Sequence, residues 1–270
     1  MNTWRKYLVL SWPIALSGIL ITIYGQIDSV MMGHWNLIEE TGWYNAASRI
    51  VGAVLIPFTL ISTSFFPVLN QTLKESEEKF QKVWNKQMAI VISGAVPLVA
   101  GGMVLAPKII GFIYGKDFTP SILAFQILMI MAGILLFQAP LYQALLIFNQ
   151  QKKFFPLVLS GAIINFILNL ILIPRYSLYG AAVSSVATAL VILLLYTGIA
   201  RYFTNIKLFN LKLFGTGIIS VFSTLIMYFF ISNPRIYNFQ IFLLLFIGVL
   251  TYSAVFLGVK FVMAKLHFNI

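Results

Sequence analysis

The chain has 270 residues, a net charge of +11, 60% hydrophobic residues and only 9% charged residues, with a mean hydropathy of +0.93. Soluble domains carry about 25% charged residues, so this composition excludes an ordinary soluble domain and indicates a protein embedded in a membrane. Nucleic-acid binding is disfavoured because the basic residues lie between apolar stretches and not on one clustered face. Cysteine is absent, which excludes disulfides and thiolate metal sites.

Eight apolar stretches follow one another along the chain, and each is long enough to approach the roughly 20 residues that cross a bilayer as a helix. They predict an all-α integral membrane protein with eight transmembrane helices. The first stretch is longer than the apolar region of about 7 to 15 residues in a signal peptide, so it is predicted to be a retained span. The stretches are 7–32, 43–69, 88–106, 122–148, 154–173, 179–199, 214–231 and 239–262.

The lysines and arginines between these stretches are divided unequally between the two sides of the predicted membrane. Thirteen of the 18 fall on one side, and four, Lys108, Lys116, Arg175 and Arg235, fall on the other. Because cytoplasmic loops are enriched in basic residues, both termini are predicted to be cytoplasmic. The remaining basic residue is Arg49, which lies within the second stretch.

The longest polar connection, 71–87, has the pattern of an amphipathic helix. Phe80, Val83 and Trp84 are at helical spacing, and oppositely charged residues lie four positions apart. The pattern predicts a cytoplasmic helix on the membrane interface with Trp84 at headgroup level, or else a solvated helical connector.

Prolines occur inside four predicted spans, at Pro13, Pro57, Pro97 and Pro140. Each removes a backbone hydrogen bond and permits a kink, and such helices are tolerated where neighbours or cavity water satisfy the freed carbonyl. Kinked spans favour a transporter over a rigid anchor, although proline is also simply commoner in membrane helices than in soluble ones.

A hairpin is predicted where the fifth stretch ends at Pro174-Arg175-Tyr176 and the next begins with GAAVSSVATA. Small residues let helix backbones approach closely in lipid, where association depends on packing. Asn165 and Asn169 lie one helical turn apart on one face of the first arm. They are therefore predicted to face a neighbouring helix or a polar cavity.

Several segments together resemble a known family. IIGFIYGKDFTPSILAFQILM, LYQALLIFNQQKKFF and NLILIPRYSLYGAAVSS are similar, in order, to the second half of bacterial Wzx-type polysaccharide flippases of the multidrug/oligosaccharidyl-lipid/polysaccharide exporter superfamily. DSVMMGHW and GWYNAASRI resemble the segments that open the second lobe of that family. The resemblance covers roughly residues 7–203, and its motifs are loose individually but specific in combination.

The resemblance implies a MATE-like fold of two six-helix lobes related by a pseudo-two-fold axis, often with two further helices. Residues 1–203 would form the second lobe, and 204–270 the two additional helices. It also implies export of undecaprenyl-pyrophosphate-linked sugar repeat units for cell-surface polysaccharide such as O-antigen, in a bacterial cytoplasmic membrane. Because a first lobe is not recognised, the expectation is a fragment, or a half-transporter that pairs with a separate first lobe or a second copy.

Arg49 and Asp28 are the strongest candidate site residues. An ionised group inside a transmembrane span costs free energy unless it is paired with an opposite charge or in contact with water. They lie at comparable depth in neighbouring spans, so one hypothesis is an ion pair that locks two helices. Alternatively, Arg49 faces the central cavity to meet lipid pyrophosphate, or it snorkels to the outer surface. Asp28 alone could be a proton or sodium site.

Amide side chains within spans are the remaining candidates for glycan recognition, and interhelical hydrogen bonding is the alternative for each. These are Gln26, Asn45, Gln138, Gln143, Asn165 and Asn169.

An enzyme is disfavoured, and no cofactor is predicted, because the seven acidic residues and two histidines do not form a metal-binding or catalytic cluster. Two other functions remain open: a drug or cation antiporter of the same fold, and a non-transporting scaffold for polysaccharide assembly.

Overall fold

The computed structural model describes residues 2–204 and 206–265, and these residues form a bundle of long helices. The helices are α1 (Asn2–His34), α2 (Ile38–Glu75), α3 (Glu77–Tyr114), α4 (Ser121–Ile147), α5 (Phe154–Phe203), α6 (Leu211–Ile231), the short α7 (Pro234–Tyr237) and α8 (Ile241–Lys265). Within the described residues, seven of them are long and apolar enough to cross a membrane. The chain is therefore a multi-pass membrane protein. The predicted kink at Pro13 lies outside the residues whose side chains are described.

The 50-residue α5 is a hairpin of two antiparallel arms, not one straight rod. Its backbone leaves helical geometry at Ser177, where φ is 51° and ψ is −131°. The rings of Phe154 and Tyr196 lie 6.5 Å apart, whereas 42 residues of continuous helix would separate them by about 63 Å. The reversal predicted at Pro174-Arg175-Tyr176 is thus confirmed, one residue later, and α5 supplies two of the predicted apolar stretches.

Gly180 lets the two arms of this hairpin approach closely. A Cβ atom at this position would lie 2.2 Å from the carbonyl oxygen of Leu172 on the other arm, which is shorter than any allowed contact distance. The small residues that follow the turn therefore serve close packing, as their composition predicts.

Two buried clusters lie at opposite ends of the bundle and show that the helices run alternately up and down. One joins the turn between α1 and α2, the end of α3, the start of α4 and the hairpin turn, through residues such as Met32, Tyr44, Ile110, Phe125 and Ile173. The other joins the end of α2, the start of α3, the end of α4 and both ends of α5, through residues such as Leu69, Trp84, Leu145, Phe154 and Tyr196.

The predicted interfacial helix over 71–87 is wrong. α2 continues to Glu75, the chain breaks only at Ser76, and α3 begins at Glu77 and runs on to Tyr114. Trp84 is completely buried and Phe80 packs edge-on against Phe148. The amphipathic pattern belongs to the ends of two 38-residue helices, each about 57 Å long, which exceed the hydrocarbon thickness of about 30 Å.

The last helices are packed against the rest of the bundle through α3. Met227 and Ile231 of α6 and Leu244 of α8 form a buried cluster with Leu105 of α3. The helices α6 and α8 therefore share packed surfaces with α3.

Candidate functional site

Asp28 is the centre of a buried polar cluster in which α1, α2 and both arms of α5 meet. The residue as a whole is only 6% exposed. One oxygen, Oδ2, accepts hydrogen bonds from the hydroxyls of Tyr44 at 2.5 Å and Ser185 at 2.7 Å. The other, Oδ1, accepts from the side-chain amide of Asn169 at 2.5 Å. We call these residues, together with Asn165 and Ser184, the Asp28 cluster.

The hairpin of α5 supplies most of the cluster. Asn169 donates to Asn165 Oδ1 at 3.0 Å as well as to Asp28, and Ser184 on the second arm donates to Asn169 Oδ1. Asn165, Asn169 and Ser184 have no exposed surface. The prediction that the two asparagines share one face and contact a neighbouring helix is therefore confirmed.

The predicted ion pair between Asp28 and Arg49 is wrong. Ion pairs among the described residues join Lys79 with Glu75 and Lys82 with Glu78, whereas Asp28 is bonded by neutral donors. The reason is rotational, because residues five apart on a helix point about 140° away from each other. Since Tyr44 points at Asp28, Arg49 points away, and its side chain is exposed.

Two buried polar atoms near the cluster make no hydrogen bond of normal geometry among the described residues. They are Nδ2 of Asn165, which still lies close enough to the Asp28 carboxylate to stabilise its charge, and Oγ1 of Thr188, one helical turn beyond Ser184. Buried polar groups are nearly always satisfied, so both atoms could form additional hydrogen bonds if the side chains around them rearranged.

Arg49 lies on a face of α2 that differs from the outer faces of other helices. Over residues 49–70, the exposed positions include the polar residues Arg49, Thr59, Thr63, Ser64 and Asn70. On the first arm of α5, the exposed positions between 163 and 171 are apolar throughout: Ile163, Phe166, Ile167, Leu170 and Ile171. The serine and threonine hydroxyls on α2 bond to their own helix backbone and suit lipid or water equally. Arg49 is thus the charged residue of this face.

The other predicted site residues are in different surroundings. Gln26 on α1 is exposed, and Asn45 is partly buried and accepts a hydrogen bond from Ser29 at 2.9 Å. Gln138 on α4 donates to the backbone oxygen of Ala189 at 2.6 Å, which is an interhelical bond within the bundle. The structure therefore brings Asp28, Asn165 and Asn169 together, leaves Arg49 and Gln26 on the surface, and uses Gln138 for packing.

A second buried network lies among α2, α3 and α4. Gln87 donates to Gln143 Oε1 at 2.8 Å, and Gln143 donates to the backbone oxygen of Ser62 at 2.9 Å. Gln143 was a sequence candidate, whereas Gln87 and Ser62 were missed. This network joins three helices and is buried away from the surface.

Tyr44 and Ser185 are members of the Asp28 cluster that the sequence reasoning missed, although a depth argument could have found them. Asp28 lies six residues before the end of α1, and Tyr44 lies six residues after the start of α2. Likewise, Asn169 and Ser185 lie eight residues on either side of Ser177. Counting outward from each turn places all four at matching depths.

Histidine, aspartate and glutamate are the side chains of this chain that could bind a metal ion as a group. In the part of the chain that the structure describes, no group of three or more histidine, aspartate or glutamate side chains could hold a metal ion.

The sequence is similar to known proteins over most of its length. A family described as polysaccharide biosynthesis protein matches residues 1–123. The probable low-salt glycan biosynthesis flippase Agl15 of Haloferax volcanii is 24% identical over 245 residues, which is 86% of this chain and 50% of that protein.

Two further archaeal proteins are similar over shorter ranges. The probable flippase AglR of Haloferax volcanii is 23% identical over 68% of this chain and 38% of its own length. The uncharacterized membrane protein MJ1375 of Methanocaldococcus jannaschii is 26% identical over 68% of this chain and 43% of its own length. The chain thus spans about half, or less, of the curated relatives it matches. These matches confirm the resemblance predicted from the sequence: the chain is similar to a polysaccharide biosynthesis family over residues 1–123 and to proteins named as probable flippases.

Proposed function

We propose that this chain forms one lobe of a glycan flippase, which exports lipid-linked oligosaccharide repeat units, carried on undecaprenyl pyrophosphate or a related lipid, for cell-surface polysaccharide. Residues 1–203 are the six-helix lobe, and 204–270 are two additional helices. The substrate path lies between this lobe and an opposing one, as in transporters whose two repeats rock against each other.

The single observation that carries the proposal is the exposure of Arg49. It lies on α2 about 16 Å from the first residue of that helix. A guanidinium that faced hydrocarbon there would cost free energy, about 2.5 kcal/mol or more at the middle of a span and less towards its end. The face of α2 that carries Arg49 therefore contacts water or another polar surface, which is what a substrate path between two lobes provides.

Arg49 suits the phosphate end of a lipid-linked glycan. Its guanidinium stays charged and presents a planar fork of donors that binds phosphate oxygens in pairs. Gln26 is also exposed, on the adjacent helix α1, and supplies an amide for the sugar or the phosphate. An anionic substrate explains this cation better than a cationic drug does.

Asp28 has a different role, as the site of the coupling ion. Intramembrane carboxylates mark ion and proton pathways, and this one is held by hydroxyl and amide groups instead of a basic partner. A sodium ion or a proton that binds there changes the bonds between α1, α2 and the α5 hairpin together. The same feature favours a cation antiporter as the second candidate function.

The test is glycan export in the cell that makes the polysaccharide, with each variant expressed from the native locus at equal protein level. Arg49→Ala is expected to lower surface polysaccharide about tenfold or more, because a charge-assisted hydrogen bond is lost. Arg49→Lys keeps the charge without the paired geometry and should retain part of the activity.

Arg175→Ala is the matched control, since Arg175 is exposed at the hairpin turn. It should leave export unchanged. Normal export by Arg49→Ala would remove the substrate role of this residue and with it the main support for an anionic substrate.

A further inference from the structure

Two prolines in α3 leave backbone carbonyls without their normal helical donors. Pro97 and Pro107 lie inside this helix and have no N–H group. The carbonyls of Ser93 and Met103, four residues earlier, therefore cannot accept the usual helical hydrogen bond. In a membrane such groups need another partner, because no water is available to them in lipid.

Side chains of neighbouring helices supply both missing donors. The hydroxyl of Tyr252 on α8 donates to the carbonyl oxygen of Ser93 at 2.6 Å. The amide of Gln126 on α4 donates to the carbonyl oxygen of Met103 at 2.9 Å. Each proline in α3 is thus matched by one polar residue on a different helix.

Ser220 of α6 extends the bond at Tyr252 into a link among three helices. Its hydroxyl lies 3.0 Å from that of Tyr252 and is completely buried. Because Tyr252 has one proton and uses it for Ser93, Ser220 is the donor of this second bond. The hydroxyl of Ser220 also donates to the carbonyl oxygen of Ile92, next to Ser93 on α3, at 3.3 Å, so its single proton is shared between Tyr252 and this carbonyl.

A cavity lies against α3 at Pro97. Its volume is about 420 Å³, and Gly94, Pro97 and Gly101 of α3, Phe58 of α2 and Tyr252 of α8 are among the residues that line it. The ring of Phe58 lies close to Gly94, where a Cβ atom would be 2.4 Å from a ring carbon. The hydroxyl of Tyr252 therefore reaches α3 at a point where part of the surface of that helix borders a cavity.

We propose that Tyr252 is a positioning residue for transport: its hydroxyl replaces the backbone donor that Pro97 removes, and so fixes the shape of α3 from α8. The consequence for transport rests on the proposed flippase function, whereas the effect on α3 does not. The last helix thereby acts on the lobe at one of the two prolines of α3.

The test uses a double-mutant cycle between Tyr252 and Pro97. Tyr252→Phe removes only the hydroxyl, and Pro97→Ala restores the N–H that can bond Ser93. If Tyr252 acts through this carbonyl, Tyr252→Phe changes α3 in the parent chain and has no further effect in the Pro97→Ala background. The same change should persist in a Pro107→Ala background, because that proline frees a different carbonyl.

Spin labels on α3 measure its shape directly, since the chain has no cysteine of its own. Cysteines at the exposed positions Lys86 and Ile113 would be about 40 Å apart along the helix. Tyr252→Phe is expected to shift or broaden the distance distribution. Tyr228→Phe, at an exposed tyrosine of α6, should not. An unchanged distribution, or the same change in the Pro97→Ala background, would overturn the proposal.

Export provides the second readout. Tyr252→Phe should reduce glycan export about fivefold, the loss expected for one neutral hydrogen bond, while the Pro97→Ala and Pro97→Ala/Tyr252→Phe chains should export equally. A fivefold loss in both backgrounds contradicts the positioning role. If the parent chain supports no export at all, the flippase function fails, and the label distances alone decide the proposal.

Discussion

Ser177 combines two unfavourable features at the turn of the α5 hairpin. Its φ of 51° lies in the region that favours glycine, with a ψ of −131° outside the left-handed helical range. Its hydroxyl is also buried without a hydrogen-bond partner. A non-glycine residue in such a conformation costs of the order of 1–3 kcal/mol.

Ser177→Gly is therefore expected to stabilise the protein by about 1 kcal/mol, because glycine adopts this backbone freely and removes the unpaired hydroxyl. The measurement is thermal unfolding of the purified protein in detergent. Ser160→Gly is the control, since Ser160 lies in regular helix of the same arm and its replacement should destabilise by about 0.5–1 kcal/mol. A lower midpoint for Ser177→Gly than for the parent would show that the turn is not strained.

The proposed role of Asp28 predicts how export depends on the ion gradient. Asp28→Asn keeps the size of the side chain but removes the negative charge that a sodium ion or proton needs. Export by this variant is expected to lose its dependence on the ion gradient, measured as polysaccharide export with and without an ionophore. Asn45→Asp places a carboxylate nearby on α2 and should not restore that dependence. Gradient-dependent export by Asp28→Asn would contradict the coupling role.

At the scale of elements, the hairpin was predictable and the lengths of α2 and α3 were not. The hairpin has a turn signal, Pro174-Arg175-Tyr176, followed by small residues, and both features reflect local chemistry. The break at Ser76 has neither proline nor glycine; instead Ser76 caps α3 by accepting from the backbone N–H of Lys79 at 3.2 Å. An amphipathic pattern fits a separate surface helix and the ends of two long helices equally well, so tertiary packing of Trp84 decides between them.

The hairpin predicts opposite effects for two glycines of α5. Gly180→Ala should destabilise by about 1–3 kcal/mol or more, because its Cβ meets the backbone of the other arm, which cannot move without opening the hairpin. Gly198→Ala should be neutral or stabilise by up to about 1 kcal/mol, since no atom lies within 4 Å and alanine favours helix. Unfolding midpoints of the two variants check this, and similar midpoints would contradict the close approach at Gly180.

One part of the candidate site can be predicted from the sequence and another part cannot. The asparagines of α5 share a face because helical spacing requires it, so their pairing follows from the sequence. The partner of Asp28 does not follow, because Tyr44 and Arg49 are both near the start of α2 and only the rotation of that helix selects between them. That rotation is set by packing of the whole bundle around Tyr44.

At the scale of the whole molecule, the two buried clusters imply that successive turns lie alternately at the two ends of the bundle. From the distribution of basic residues, we predict that the end that holds Lys152 and Lys207 faces the cytoplasm. Single cysteines can test this without background from the chain, which has none of its own.

We expect an impermeant thiol reagent added to intact cells to label one set of cysteines, and the other set only after permeabilisation. The first set replaces His34, Lys116, Tyr176 and Ser232, and the second replaces Glu77, Lys152 and Lys207; all are exposed. Labelling of two or more positions from the opposite side would overturn the predicted orientation.

The proposed function requires that the exposed face of α2 lines a polar path while the outer face of α5 contacts lipid. Two isoleucines provide the most direct measurement, because Ile56 on α2 is 57% exposed and Ile167 on α5 is 49% exposed. Each is replaced singly by cysteine in the protein as it occurs in its native membrane, and the rate of reaction with a small water-soluble thiol reagent is measured. We expect Ile56→Cys to react and Ile167→Cys to remain unreacted. Equal protection of both cysteines would place the Arg49 face in lipid and contradict a polar path along α2.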